Sequence, residues 1–261
     1  MANAMDRIPL RRPQVFFTTV PMPCPYLPGR LERKIVTELT GPDMEMLHES
    51  LARAGFRRSH SIAYAPACPG CNACVPVRIV AADMRPRRIF RRTMRLNNDL
   101  MAQGMAARAT VEQYRLFSRY QDSRHSGSDM AMMGFYDYRS MVEDSPIDTF
   151  LVEFRRPEKG LVAVLLVDRT RDGLSAVYSF FTPDLSHCSL GTFMILWLVE
   201  EAQQLGLPYV YLGYWIAESR KMSYKQRFQP LEAFGPDGWV PLPAAQGNGQ
   251  GMIYNQQAAS P

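Results

Sequence analysis

The chain has 261 residues, 46% of them hydrophobic and 21% charged, a globular composition long enough for a substantial core in one or two compact domains. A formal charge of +5 and a pI near 9.0 are modest totals, which favour one specific anionic partner over general adhesion to polyanions. The longest apolar run, Phe193 to Val199, is too short to cross a bilayer, and Met1 to Arg12 holds no apolar stretch of signal length. Five cysteines, three of them in a tight triplet, suit a reducing compartment better than a disulfide scaffold, so a cytoplasmic protein that avoids membranes is expected.

Val15 to Val20 reads as a short strand. Cys24 follows on a stiff, non-helical segment, Pro23-Cys24-Pro25-Tyr26-Leu27-Pro28. Gly41-Pro42-Asp43 opens a helix that runs through Met46, Leu47 and Leu51 and stops at Gly55. Ser61 to Tyr64 reads as a strand entering the loop Cys68-Pro-Gly-Cys71-Asn-Ala-Cys74, and Val75 to Val80 as the strand leaving it, so that two strands carry the loop at their tips. Three cysteines at two-residue gaps can turn their sulfurs toward one point, as thiolate ligands of zinc or of an iron–sulfur cluster do. Cys24 is preferred to Cys188 as the fourth ligand. The second pair of a zinc ribbon is missing, so reduced thiols packed in a loop, or a pair that oxidises, stay open as readings.

From Arg85 to Arg95 there are six arginines (Arg85, Arg87, Arg88, Arg91, Arg92, Arg95) and no acid before Asp99. Ile89, Phe90, Met94 and Leu96 interrupt them, so one side can pack while the guanidinium side faces phosphates; the alternative is a solvated face. Leu96 to Met105 is expected to be helical, and Thr110 begins a further helix with Val111, Tyr114 and Phe117 on its buried stripe.

In the second half, Phe150 to Phe154, Leu161 to Val167 and Leu174 to Phe181 read as three strands joined by hairpin-like connections. A turn ending at Gly191 leads into an almost wholly apolar helix from Phe193 to Leu205, and Tyr209 to Trp215 returns as a strand parallel to the one before the helix. This order is that of an acetyltransferase-like α/β fold, with mixed sheets and flanking helices. Gly191 leaves N–H groups at a helix N-terminus where a phosphate or carboxylate can bind. The expected organisation is residues 1–108 as an N-terminal half with the cysteine loop and basic run, 109–240 as the acetyltransferase-like half, and 241–261 as a loose tail.

Several separated segments resemble the bacterial branch of the arginyl-tRNA–protein transferase family, the aspartate/glutamate leucyltransferases. They are Cys24-Pro-Tyr-Leu-Pro-Gly-Arg30, Gly55-Phe-Arg-Arg58, Cys68 to Arg78, Asn97-Asn-Asp99, Met141-Val-Glu-Asp-Ser-Pro146, Asp172-Gly-Leu-Ser175, Tyr178-Ser-Phe-Phe181, Ser189-Leu-Gly-Thr192, and Leu212-Gly-Tyr-Trp-Ile216 with Lys221-Met222 and Tyr224-Lys225. The resemblance spans nearly the whole chain and implies two diverged copies of the acetyltransferase-like fold with no need for acetyl-CoA. It implies transfer of leucine from leucyl-tRNA to proteins beginning with Asp or Glu, which marks them for degradation. His187-Cys188 stands before Ser189 where a basic residue belongs to the pattern, which weakens a phosphate role for the Gly191 turn.

Such chemistry needs alignment of an amine with an activated ester and stabilisation of an oxyanion, not a nucleophilic triad or a cofactor. Four histidines without a motif around them agree with this. An acidic acceptor side chain calls for a forked cation, for which Arg78 is the first candidate and Arg220 and Lys221 the next. Glu143 or Asp144 could hold the α-amine and take its proton, with Tyr178 beside the reacting centre, and Phe180, Tyr214 and Trp215 could line a pocket for leucine. The Arg85–Arg95 run with Lys225 supplies a basic track for tRNA. The expectation is a single polycation-lined cleft on a monomer. An acetyl-CoA-dependent N-acetyltransferase, a non-enzymatic RNA-binding protein around a metal loop, and arginine as the transferred residue are the competing readings.

Overall fold

The computed structural model describes residues 13–244. In chain order the elements are β1 (Phe17–Thr18), β2 (Met22–Pro23), β3 (Leu31–Glu32), β4 (Lys34–Glu38), α1 (Met44–Arg53), β5 (Arg57–Ser59), β6 (Ile62–Pro66), β7 (Val75–Val80), α2 (Arg88–Leu96), β8 (Met101–Ala106), α3 (Val111–Arg124), α4 (Phe135–Glu143), β9 (Thr149–Arg156), β10 (Gly160–Thr170), β11 (Gly173–Phe181), α5 (Leu190–Gln204), β12 (Tyr209–Trp215), β13 (Leu231–Gly235) and β14 (Gly238–Leu242). Eight strands form one mixed sheet in the order β14-β13-β7-β12-β11-β10-β9-β8, and a smaller sheet runs β1-β4-β6-β5. The result is a mixed α/β architecture with flanking helices.

The strands of the second half lie where the apolar runs place them. β9, β10 and β11 form an antiparallel meander, and α5 carries the chain across the sheet so that β12 returns parallel to β11. Every other pairing in the large sheet is antiparallel. β10 is apolar on both sides because both sides are covered. Ala163, Leu165 and Val167 join the core under α5, while Val164 and Leu166 join the core under α3 and α4. α3 starts at Thr110, which accepts from Gln113 N–H at 3.2 Å while the Gln113 side chain accepts from Thr110 N–H at 2.9 Å.

Three expectations are corrected. The helix placed over Leu96 to Met105 lies earlier, as α2, and Met101–Ala106 is the edge strand β8 paired with β9. Almost all of β8 is exposed, so no buried face imposes an alternating pattern that a reader of the sequence could detect. Two strands do carry the cysteine loop at their tips, and they belong to different sheets, β6 to the small one and β7 to the large one, so the loop bridges the sheets. Pro241 and Leu242 pair with β13 within β14, while 245–261 of the expected tail lies outside the described residues. The large sheet also takes strands from both sides of the 108/109 division.

The two sheets are joined by charge as well as packing. Arg58 of β5 places Nε and Nη2 each 2.7 Å from the carboxylate of Asp168 on β10, with both side chains buried. Thr149 donates to the same carboxylate at 2.7 Å. Among the described residues no helix is long and apolar enough to cross a membrane. Replacing Asp168 with Ala strands a buried guanidinium, so urea unfolding is expected to show a loss of about 3–5 kcal/mol.

Candidate active site

The one parallel pair in the large sheet is hydrogen-bonded only where Gly173–Ser175 faces Tyr209–Tyr211. Beyond that point β11 and β12 part. Each strand changes register against its other neighbour at the parting: β11 pairs Ala176 and Tyr178 with β10 and leaves Val177 out, and β12 pairs Tyr211 and Gly213 with β7 and leaves Leu212 out. Two bulges therefore face one another, and their carbonyls need donors. Arg57 of β5 supplies them. Its guanidinium donates to Leu212 O at 3.1 Å, Ala176 O at 3.0 Å and Val177 O at 2.9 Å. Gly213 has φ +70°, and a Cβ there would stand 1.4 Å from Arg57 Nη1, so the strand requires glycine where the guanidinium passes.

Phenols and cations line this gap. Tyr178, beside the β11 bulge, accepts from Gln121 Nε2 of α3 at 2.6 Å, and burial pushes its hydroxyl up to about 12. Gln121 is only 1% exposed, and its Oε1 has no partner. Tyr120 packs on Phe181 with ring centroids 5.0 Å apart. On the β12 side, Tyr214 donates to Tyr64 O at 3.1 Å, and Lys225 donates to Tyr214 O at 2.6 Å. Burial, and then the charge of Arg57, holds the Lys225 ammonium well below its ordinary range. The same charge works against burial at the hydroxyls of Tyr26, Tyr214 and Tyr224.

Tyr214 also walls a cavity of about 170 Å³ that it shares with Tyr26, Tyr64 and all four of Cys24, Cys68, Cys71 and Cys74. Burial, followed by the charges of the other three thiols, pushes Cys74 up to about 12. Arg30 donates to Cys71 Sγ at 3.1 Å and Arg33 N–H to Cys68 Sγ at 3.3 Å. The donor set suits a thiophilic ion or cluster, although among the described residues no three His, Cys, Asp or Glu side chains are gathered as a ligating group. Cys188 lies elsewhere, buried ahead of α5.

Several residues chosen from sequence are committed to other tasks. Arg78 is buried: its Nε lies 2.7 Å from Glu232, and its guanidinium sits 3.5 Å from the Tyr209 ring and 4.4 Å from the Trp239 ring. Its Nε and Nη1 are thereby engaged with Glu232 and with the Tyr211 hydroxyl. Lys225 is buried rather than offered to tRNA. Phe180 is enclosed by Phe117 and Tyr138, and Trp215 faces the α5 side of the sheet while Tyr214 faces the small sheet. These three form no shared pocket: Phe180 is enclosed by its own core, and the neighbouring positions Tyr214 and Trp215 point to opposite faces. Glu143 accepts from Ala109 N–H and pairs with Arg139 at 2.8 Å, contacts that hold its carboxyl below the usual range. Asp144 accepts from Ser140. Those partners belong to α4 and the approach to α3, not to the gap.

The six arginines of the basic run are exposed on and before α2, whose buried Phe90 stacks on Phe228 at 5.0 Å. α2 packs on the α5 face of the sheet, whereas Tyr178 and Tyr214 point from the other face. The single cleft expected from sequence is thus divided by the sheet. Arg220 and Lys221 are exposed in the segment after β12, and burial, followed by the charge of Lys221, lowers the His125 imidazole. Arg57, Tyr26, Tyr64 and Gln121 went unassigned in the sequence. Gly55-Phe-Arg-Arg58, Leu212-Gly213 and Cys24-Pro-Tyr-Leu-Pro-Gly-Arg30 carried a signal for Arg57, Gly213 and Tyr26, without a role.

Residues 22–92 match the N-terminal family model of arginine-tRNA-protein transferase and residues 112–235 its C-terminal model. The chain is 71% identical over 235 residues to the aspartate/glutamate leucyltransferase of Paramagnetospirillum magneticum, covering 90% of this chain and 96% of that one. To the aspartate/glutamate leucyltransferase of Rhodospirillum rubrum it is 63% identical over 237 residues, with coverage of 90% and 96%. A solved C-terminal domain of a putative lysylphosphatidylglycerol synthetase from Agrobacterium fabrum aligns at 10% identity and a TM-score of 0.44, over 74% of this chain and 60% of that one. Tyr178→Phe leaves the buried Gln121 amide without its side-chain partner, and chemical denaturation is expected to register a loss of about 1–3 kcal/mol.

Proposed function

The chain belongs to the arginine-tRNA-protein transferase family, and from that premise we propose that it moves leucine from leucyl-tRNA to the N-terminal Asp or Glu of proteins, marking them for degradation. The observation that carries this is the likeness to aspartate/glutamate leucyltransferases along nine-tenths of the chain. In the reaction the α-amine attacks the ester carbonyl, the C–O bond to the ribose breaks, an amide forms, and the amine's proton ends on the released ribose hydroxyl. An α-amine of pKa about 7.7–8.0 is partly neutral near pH 7, so no strong base is required. Alignment can contribute roughly 7–11 kcal/mol and an oxyanion donor roughly 2.7–4 kcal/mol.

The gap between β11 and β12 is the proposed seat of this chemistry. It is lined by phenols and cations, a setting that accommodates an ester and a leucine side chain and is unfavourable to arginine, which supports leucine as the transferred residue. With Arg78 engaged, exposed Arg220 and Lys221 are the proposed cations for the acceptor carboxylate. α2 is proposed to take the tRNA backbone on the far side of the sheet, with only the acceptor end reaching the gap. The strand–helix–strand unit of β11, α5 and β12 supports an acetyltransferase-like reading of the fold, and the four-stranded sheet with α1 is the proposed diverged second copy.

The four cysteines are proposed to hold zinc or an iron–sulfur cluster, which would cross-link the segment before β3 to the loop between the sheets; the transfer itself requires no cofactor. Cys71→Ser is expected to lower the zinc or iron content of anaerobically purified protein, and an unchanged content refutes the centre. For the reaction, leucyl-tRNA and arginyl-tRNA are supplied separately with peptides beginning in Asp, Glu or Ala. Leucine is expected to pass to Asp and Glu peptides only; equal transfer to Ala peptides refutes the cationic acceptor site.

A further inference from the structure

We infer that Arg57 is a positioning residue for the transfer: its guanidinium is a pin that sets the width of the gap between β11 and β12, and with it the placement of Tyr178 and Tyr214 on either side. The inference rests on the transferase reading and deepens it. Adjacent strands in a ladder lie about 4.7–4.9 Å apart, and nothing in the β11–β12 ladder itself holds that spacing past Ser175 and Tyr211. What replaces the ladder is one planar fork. It bonds Ala176 and Val177 on one strand and Leu212 on the other, so both edges are referred to a third strand that belongs to the other sheet. A fork of fixed geometry can do this; a lysine, with a single nitrogen on a flexible stem, cannot span both edges in the same way.

Gly213 is an independent sign that the gap is built around this group. A β-carbon at that position would collide with Arg57 Nη1 at 1.4 Å, and the backbone there takes φ +70°. Three other arginine cross-links end on carboxylates: Arg58 on Asp168, Arg78 on Glu232 and Arg155 on Glu112. Arg57 ends on carbonyls alone. Its charge therefore persists in the gap, where it bears on the hydroxyls of Tyr26, Tyr214 and Tyr224. A fixed positive charge at this place also favours the oxyanion that aminolysis creates, without rearrangement as the reaction proceeds.

The test uses full-length Arg57→Ala, Arg57→Lys and Gly213→Ala, with the Arg57→Ala/Gly213→Ala double variant. Each is assayed for melting temperature, leucyl-tRNA binding, and kcat and KM with an Asp-initiated peptide. Arg57→Ala is expected to bind leucyl-tRNA as the parent does and to lose about 10²-fold in kcat at little-changed KM, the cost of misplacing a reacting group. Millimolar guanidinium is expected to restore much of that kcat, whereas Arg57→Lys remains impaired. Gly213→Ala is expected to lower kcat in the parent and, in Arg57→Ala, to add only the backbone strain of an L residue at φ +70°, read as a lower melting temperature with little further loss of kcat, since the group it collides with is gone. Should Arg57→Ala not fold, Arg57→Lys and Gly213→Ala carry the same reading. Parental kcat in the folded variants, a loss confined to KM or to tRNA binding, or no response to guanidinium overturns the pin. Absence of leucyl transfer by the parent protein would instead overturn the transferase reading itself.

Discussion

Arg57 and Arg58 stand side by side on a three-residue strand and reach out to opposite sides of it. Arg58 meets Asp168 with two bonds of 2.7 Å inside the protein, and Arg57 meets three main-chain carbonyls where β11 and β12 separate. Through these two guanidinium groups the small sheet holds the large one. The approach to the strand is equally constrained: Gly55 has φ +83°, and a Cβ there would lie 2.7 Å from Pro76. Without β5 in this position, the buried carboxylate would lose its cation and the bulged carbonyls their donor, a cost that buried polar groups make large.

The same arrangement explains how a sheet of ordinary ladders comes to contain an opening. Burial tolerates a break in a parallel pair only if the freed backbone groups are met, and here three carbonyls are met by a cation. The opening lies beside the cavity that holds the four cysteines, with Tyr214 common to both. A change in the cysteine loop is thus one side chain away from the gap. The arginine-rich helix lies across the sheet and reaches the region through Phe90 on Phe228, three residues beyond Lys225. A large polyanion and a short peptide can therefore approach from different sides.

Much of the fold was legible in the sequence because its signals are local. The meander β9–β10–β11, the crossover through α5 and the parallel return of β12 all follow from apolar runs, glycine turns and helix length. The capped start of α3 was visible in Thr110 as well. β8 escaped because an exposed edge strand has no face to pattern, and α4 and the β13–β14 hairpin were not anticipated. The candidate site was less legible. Arg78 and Lys225 looked available to substrates because basic residues usually stay in solvent; their burial depends on Glu232, Tyr209, Trp239 and the Tyr214 carbonyl, none of which is a sequence neighbour.

By itself the sequence determined the α/β character, the family resemblance and the concentration of positive charge before Asp99, since each resides in spacing along the chain. Only the tertiary structure decided that the positive helix and the aromatic gap lie on opposite faces, and that Arg57 occupies the gap. Its carbonyl partners are 119, 120 and 155 residues away, and bonds to the main chain leave no mark in residue identity beyond the one glycine that lets the guanidinium through.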